Sequence, residues 1–185
     1  KQKKDIAEDS TNFQIPAKFI ANKPDFVYEY NRYKRRIPRN LVDRMRMCCD
    51  DKNNILMPVY SKKGFYNGYV RRDTNGGDPK YMNYLENRTI FYLEWLISTT
   101  TGIIVEGPYD ALVTFKYLEK AGLLEKYSVI ATLGSEISDA QFARLPKFFT
   151  KLIIYSDNDP AGKKMGRAIK KQLHGKIPVI SRIEY

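Results

Sequence analysis

The sequence predicts a mixed α/β fold, in which a basic α+β N-terminal subdomain precedes a Rossmann-like parallel sheet with flanking helices. From Thr101 onwards, short apolar segments alternate with amphipathic segments, a pattern typical of strand–helix–strand units with right-handed crossovers. Before Thr101, two strand-like runs flank a polar turn, which is typical of an antiparallel hairpin. The 185 residues, 43% of them hydrophobic, suffice for a core without disulfides. We therefore predict two parts, residues 1–100 and 101–185.

The first part is predicted to begin with an irregular polar arm, residues 1–24. Apolar residues at helical spacing from Ile37 predict a short basic helix. The segment "NILMPVYSKKGFYNGYVRRD" predicts two strands around a turn at Ser61–Gly64, and Pro58 favours an edge position for the first of them. The segment "NGGDPKYMNY", from Asn75, predicts a loop.

The second part contains four predicted strands, "TGIIVEG", "YSVIATLGS", "KLIIYSD" and "IPVISRIEY". The first helix follows Gly107 and stops at Gly122, the second has Ser138 as its N-cap, and the third has Pro160 in its first turn. Strands separated by helices of this length pair in parallel. If the first and third strands are neighbours, their carboxyl ends meet at one edge of the sheet, where ligands bind in such folds.

The charge of the chain favours a polyanionic partner. The net charge is +11 at pH 7 and the isoelectric point is near 9.5, and the run "RYKRRIPRNLVDRMR" concentrates cations that can contact nucleic-acid phosphates. Tyr28, Tyr30 and Tyr33 interleave with these cations and could stack on bases. The adjacent Cys48 and Cys49 suit neither a zinc ribbon nor a disulfide framework. No apolar run is long enough for a membrane span, so we expect a cytoplasmic protein without a membrane partner.

Four carboxylates are predicted to meet at the edge of the parallel sheet. Glu106 follows the first strand, Asp110 lies in the next turn, and Asp157 and Asp159 follow the third strand. Carboxylates this close repel each other unless a cation neutralises them, and hard oxygen ligands favour Mg²⁺ or Mn²⁺. For the two aspartates alone, capping of the next helix is the simpler alternative.

These residues resemble a known family. The segments "VEGPYDAL", "ATLGS" and "IIYSDNDPAGKKMGRAI" look like the Toprim domain. The upstream segments "RRIPRNLVDRM", "NNILMPVYSKKGFYNGYVRRD" and "PKYMNYLEN" resemble the RNA polymerase domain of DnaG-type bacterial or phage DNA primases. Arg72 matches a family arginine, while Val70 and Arg71 replace two family glycines. The family's zinc-binding module is absent from the sequence, and a further acidic motif would follow Tyr185, so we expect a fragment of a longer protein.

The resemblance implies synthesis of RNA primers on single-stranded DNA by a metal-dependent nucleotidyltransferase, that is, a DNA-directed RNA polymerase of primase type. It implies Mg²⁺ or Mn²⁺ as cofactor, single-stranded DNA template and NTPs as ligands, and a replicative helicase, fused or separate, as partner, in a bacterial cell or phage-infected host. The implied catalytic residues are Glu106, Asp157 and Asp159, which with Asp110 are also the metal ligands. The implied NTP-binding residues are Arg72, Lys80, Tyr81 and Asn83. The implied template contacts are Arg35, Arg36 and Arg39.

Two other functions fit the same residues. A Toprim nuclease or topoisomerase fragment would use the same acids to cleave DNA, and would nick DNA without incorporating NTPs. A catalytically silent nucleic-acid-binding scaffold would keep its function when Asp157 and Asp159 are replaced. Ser135, which follows Gly134, is either near the site or an ordinary turn residue.

Overall fold

The computed structural model of the protein describes residues 14–21, 24–134 and 136–182. Two four-stranded sheets, one antiparallel and one parallel, organise this part of the chain and confirm the predicted α/β class. The helices are α1 (Ala17–Ala21), α2 (Asp25–Glu29), α3 (Arg39–Arg44), α4 (Pro108–Lys120), α5 (Asp139–Phe148) and α6 (Pro160–Leu173). The strands are β1 (Cys48–Cys49), β2 (Ile55–Tyr60), β3 (Tyr66–Arg72), β4 (Tyr81–Leu85), β5 (Thr101–Val105), β6 (Ser128–Ala131), β7 (Lys151–Tyr155) and β8 (Val179–Arg182). Within these described ranges, no helix is long and apolar enough to cross a membrane.

The antiparallel sheet has the order β1-β2-β3-β4. The predicted hairpin is confirmed as β2 and β3, but the predicted edge position of β2 is wrong. Strand β1 pairs only with Ile55 and Leu56 of β2, so Pro58 lies beyond its reach and leaves no ladder hydrogen bond unmade. The predicted loop from Asn75 is wrong from Tyr81 onwards, because the free edge of β3 pairs with β4.

The lead-in to this sheet is partly helical. Residues 1–13, 22 and 23 of the predicted arm lie outside the described residues. Within the rest, the irregular prediction is wrong at α1, where Phe19 packs with Ile15, Cys48 and Leu56 on the outer face of the sheet. Helix α2 continues into a π-helical turn, Tyr30–Lys34. The predicted basic helix is confirmed as α3.

The parallel sheet has the order β6-β5-β7-β8. Its helices begin as predicted: the Ser138 hydroxyl accepts a hydrogen bond from the Gln141 amide at 3.2 Å, and Pro160 is the first residue of α6. Helix α4 packs on one face and shares a core with α3, β2 and β3. Helices α5 and α6 pack on the other face.

The segment between the sheets joins both of them. Tyr92 forms an antiparallel bridge with Ala131 of β6, through two backbone hydrogen bonds of 2.9 and 3.1 Å. The fully buried Glu94 accepts hydrogen bonds from the amides of Lys62, at 3.0 Å, and Phe91, at 3.2 Å. Its carboxylate also pairs with Arg144 of α5. One buried carboxylate thus connects the hairpin of the first sheet to a helix of the second.

Candidate active site

The carboxyl ends of β5 and β7 lie side by side. The two strands are parallel neighbours, with Thr101 opposite Lys151 and Ile104 opposite Ile154. The condition that the first and third strands of this part be neighbours is therefore met. The residues that follow β5 and those that follow β7 lie at the same edge of the sheet, because neighbouring parallel strands of equal length end together.

Glu106 and Asp110 come from the turn between β5 and α4. Glu106 is half-buried, and Asp110 lies in the first turn of α4, where its Oδ2 accepts a hydrogen bond from the Gly107 amide at 3.2 Å. A side chain at position 107 would place its Cβ 2.6 Å from the same oxygen. The glycine therefore allows the Asp110 carboxylate to fold back toward the end of the strand.

Asp157 and Asp159 come from the turn between β7 and α6. The Asp159 Oδ1 accepts a hydrogen bond from the Gly162 amide at 2.7 Å, which makes Asp159 the N-cap of α6. A Cβ at Gly162 would lie 2.3 Å from the carbonyl oxygen of Asp157. The helix can therefore start directly against the backbone of Asp157 only because residue 162 has no side chain.

The four carboxylates interact electrostatically. Burial raises the pKa of Glu106 above its ordinary value, and the negative charges of Asp157, Asp159 and Asp110 raise it further. Burial and the charge of Asp157 raise the pKa of Asp110, against the opposing effects of the Gly107 amide and the Arg35 guanidinium. The edge of the sheet thus carries more negative charge than its protein surroundings neutralise.

The donor set suits a hard divalent cation. All four side chains offer carboxylate oxygens, the ligands that Mg²⁺ and Mn²⁺ prefer. A bound divalent cation would relieve the mutual repulsion of these carboxylates. Within the described residues, no three acidic, histidine or cysteine side chains are already drawn together around a single point. The carboxylates share an edge, and a cation would have to draw them closer.

A hollow of about 190 Å³ opens beside these carboxylates. It lies between the two sheets, and β4 forms one of its walls. The site residues that line it are Tyr81, Asn83, Glu106, Asp110 and Asp157. Asn83 is also anchored across the gap, because its Nδ2 donates a hydrogen bond to the Leu133 carbonyl at 2.8 Å. Residues 81 and 83 of the first sheet therefore face the acids of the second.

Two guanidinium groups lie close to the hollow. Arg72 pairs with Tyr81 across β3 and β4, and its guanidinium lies 4.6 Å from the centre of the Tyr81 ring. Arg35 lies 4.8 Å from the centre of the Tyr109 ring. The Nε atoms of both arginines are buried without a hydrogen-bond partner among the described residues. Burial raises the pKa of the Tyr30 phenol, but hydrogen bonds from Arg35 and Arg72 outweigh it and lower this pKa overall.

Sequence reasoning missed the support beneath Arg35. Tyr109 is buried, and its hydroxyl donates a hydrogen bond to Oδ1 of the fully buried Asn31 at 2.9 Å. The Asn31 amide in turn donates to the Val27 carbonyl at 2.7 Å. Tyr109 precedes Asp110 in the motif "VEGPYDAL" and could have been noticed there, whereas nothing local marks Asn31.

The remaining predicted residues lie farther out. Lys80 is exposed immediately before β4. Arg39 is exposed and lies 4.1 Å from the centre of the Tyr28 ring. Arg36 lines a larger groove of about 990 Å³, which Arg35, Glu106, Asp110, Lys116 and Asp157 also line. Ser135 lies outside the described residues. The structure thus places Arg35 and Arg36, but not Arg39, along a groove that reaches the carboxylates.

Comparisons with known proteins agree with this architecture. Residues 103–184 match the Toprim-like family. A DNA primase of Clostridium acetobutylicum is 28% identical over 121 residues, which is 60% of this chain and 19% of that primase. The chain spans about a fifth of the length of the curated primases it matches.

Two solved structures show the shared fold. The DnaG primase catalytic domain bound to ssDNA has a TM-score of 0.64 and 16% identity, over 87% of this chain and 61% of that chain. The primase fragment of the bacteriophage T7 primase-helicase protein has a TM-score of 0.62 and 19% identity, over 79% of this chain and 62% of that chain. Both likenesses concern the fold, and each covers more than three quarters of this chain.

Proposed function

We propose that the chain is the catalytic core of a DnaG-type DNA primase, because residues 103–184 match the Toprim-like family and the chain is similar in sequence and in fold to such primases. Such a core makes short RNA primers on single-stranded DNA by nucleotidyl transfer, as a DNA-directed RNA polymerase. The observation that carries the proposal is the meeting of three carboxylates, Glu106, Asp110 and Asp157, with Tyr81 and Asn83 around one hollow, where the negative charge of Asp159 also acts on Glu106. The cytoplasm of a bacterial or phage-infected cell is the proposed compartment, because its relatives are DNA primases.

In the proposed reaction, a 3′-hydroxyl attacks the α-phosphorus of an incoming NTP and pyrophosphate leaves. Glu106, Asp157 and Asp159 would hold divalent cations, Mg²⁺ or Mn²⁺, with Asp110 beside them. The bound cations would supply stabilisation of the charge on the attacking and leaving oxygens. The part of the protein is to hold the reacting groups in register.

The basic side chains near the candidate active site have complementary roles in this proposal. Arg72 and Arg35 present guanidinium groups next to the hollow and would donate hydrogen bonds to triphosphate oxygens, while Asn83 and Tyr81 shape its wall. Lys80 would reach the phosphates from the start of β4. Arg36 would contact the template backbone along the groove, and Arg35 would contact it at the inner end of the groove. Arg39 would contact the template backbone farther from the carboxylates.

Two partners are proposed on the strength of the relatives. One related structure is a DnaG domain bound to ssDNA, and another comes from a phage primase-helicase protein. We propose single-stranded DNA as the template and a replicative helicase, fused or separate, as the partner that delivers it.

The test is template-dependent incorporation of labelled NTPs on single-stranded DNA with Mg²⁺ or Mn²⁺. The variants are Asp157→Asn and Asp159→Asn, and the control is Asp51→Asn, a surface carboxylate paired with Lys18. Asparagine is as good an N-cap as aspartate, so Asp159→Asn should fold normally. We expect at least a hundredfold loss of incorporation in both site variants and none in the control. DNA nicking without NTP incorporation by the unaltered protein would instead identify a nuclease.

A further inference from the structure

The exposed face of α6 is a stripe of cations. Lys163, Arg167 and Lys170 recur three or four residues apart, which places them on one face of the helix, with Lys171 beside them. All four are exposed, whereas Met165, Ile169 and Leu173 on the opposite face are buried in the core. From residue 163 to residue 171 the stripe is about 12 Å long, at about 1.5 Å per residue.

Almost none of this charge is neutralised within the part of the chain that the structure describes. The sequence of α6 contains no acid. Among the described residues, the neighbouring Lys164 pairs with Glu136 at 3.1 Å, but Lys163, Arg167, Lys170 and Lys171 have no ion pair. Like charges three and four residues apart destabilise a helix, so the stripe has a cost that a bound polyanion would remove.

The stripe leads away from the carboxylate site. It begins one turn after the Asp159 cap and ends at a hollow of about 580 Å³, lined in part by Lys170, His174 and Lys176. Helix α6 packs on the face of the parallel sheet opposite α4. The stripe is therefore separate from Arg35 and Arg36, which lie in the groove beside α4.

We propose that the basic stripe binds the backbone phosphates of single-stranded DNA outside the active site. A line of unpaired cations, without acids or large apolar residues between them, matches a chain of evenly spaced phosphates. Helix α6 has no free apolar face to insert into a membrane, because its apolar face is already buried against the sheet. The choice of single-stranded DNA as the polyanion rests on the proposed function, while the charge and geometry of the stripe do not.

The test compares two triple variants with the same loss of charge. The stripe variant is Arg167→Gln with Lys170→Gln and Lys171→Gln. The control is Lys120→Gln with Lys126→Gln and Lys147→Gln, three exposed lysines on other surfaces. Binding of a labelled oligothymidine is measured by fluorescence anisotropy over a series of NaCl concentrations, and the circular dichroism of both variants is checked.

We expect the slope of log K against log [NaCl] to become shallower by about 2 in the stripe variant, since each lost phosphate contact on a single strand removes about 0.7. At about 0.1 M salt its affinity should fall at least tenfold, and the control should stay within twofold of the unaltered protein. Equal losses in both variants, or no loss in the stripe variant, would overturn the proposal. The Asp157→Asn variant separates the two proposals, because it should lose NTP incorporation and keep the full slope.

Discussion

At the scale of single residues, Gly162 decides how closely the helix can approach the aspartates. A methyl group there would lie 2.3 Å from the Asp157 carbonyl oxygen and 2.9 Å from its nitrogen. Both are backbone atoms, so the clash cannot be relieved by turning a side chain. The Ala-Gly that follows the Asp-x-Asp motif is thus explained by packing against the acidic turn, and not by flexibility.

Gly162→Ala should destabilise the protein by about 2 kcal/mol and displace Asp157, because the backbone must shift to admit the methyl group. Gly166→Ala is the matched control in the same helix. There the nearest atoms lie 3.9 Å from the new Cβ, so alanine should be neutral or stabilise by up to about 1 kcal/mol. Urea unfolding of the two variants measures the difference, and equal stabilities would contradict this role of Gly162.

The raised pKa values of Glu106 and Asp110 predict how stability changes with pH. In the folded state these groups hold protons to higher pH than in the unfolded chain, so stability falls as the pH rises from the ordinary carboxyl pKa through the raised values. Glu106→Gln should make this decline shallower and raise stability at neutral pH. Unfolding free energies between about pH 4 and pH 8 measure the slopes. A steeper decline in the variant would contradict the assignment.

Residue-scale prediction from the sequence worked best where the signal was local. Glu106 directly follows one apolar strand, and Asp157 and Asp159 lie in the turn that follows another, so parallel pairing alone brings them to one edge. Asn31 could not be found in this way, since its partner Tyr109 lies 78 residues away. The positions of Arg35 and Arg72 depend on such long-range contacts, and their charge alone suggested only phosphate binding.

At the scale of elements, strand order was harder to predict than strand existence. The proline of β2 suggested an edge, but β1 is too short to reach it. Glycine and proline before Tyr81 suggested a loop, yet pairing with β3 overrides this from Tyr81 onwards. The missed strand matters for the candidate active site, because β4 carries both Tyr81 and Asn83.

The junction around Glu94 should be strongly sensitive to substitution. Glu94→Gln removes the charge that Arg144 and two backbone amides share, and leaves Arg144 without its partner. We expect a loss of about 3 kcal/mol, typical of breaking a buried pair. Glu125→Gln, at an exposed carboxylate, should change stability by less than about 0.5 kcal/mol. Similar unfolding midpoints for the two variants would show that the junction adds little.

At the scale of the whole molecule, the two predicted parts share one core. Leu112 and Phe115 of α4 belong to the same buried cluster as Val27, Leu41 and Val70 of the first part. The division into residues 1–100 and 101–185 follows the two sheets but cuts through this cluster. Separate folding units would each need a closed core of their own.

We therefore expect a single cooperative transition when the chain is unfolded in urea, with fluorescence and circular dichroism changing together. Residues 101–185 expressed alone should bind a hydrophobic dye, because one face of α4 would lose its cover. Two separate transitions, or a fragment with native-like cooperativity, would show that the parts fold independently.

The bridge between Tyr92 and Ala131 has a further consequence for the molecule. In an open parallel sheet, the outer side of β6 would offer unsatisfied amides and carbonyls to any passing strand, which is a route to aggregation. The connecting segment occupies part of this side with its own backbone. The same stretch of chain that links the sheets therefore also shields part of the β6 edge from pairing with another molecule.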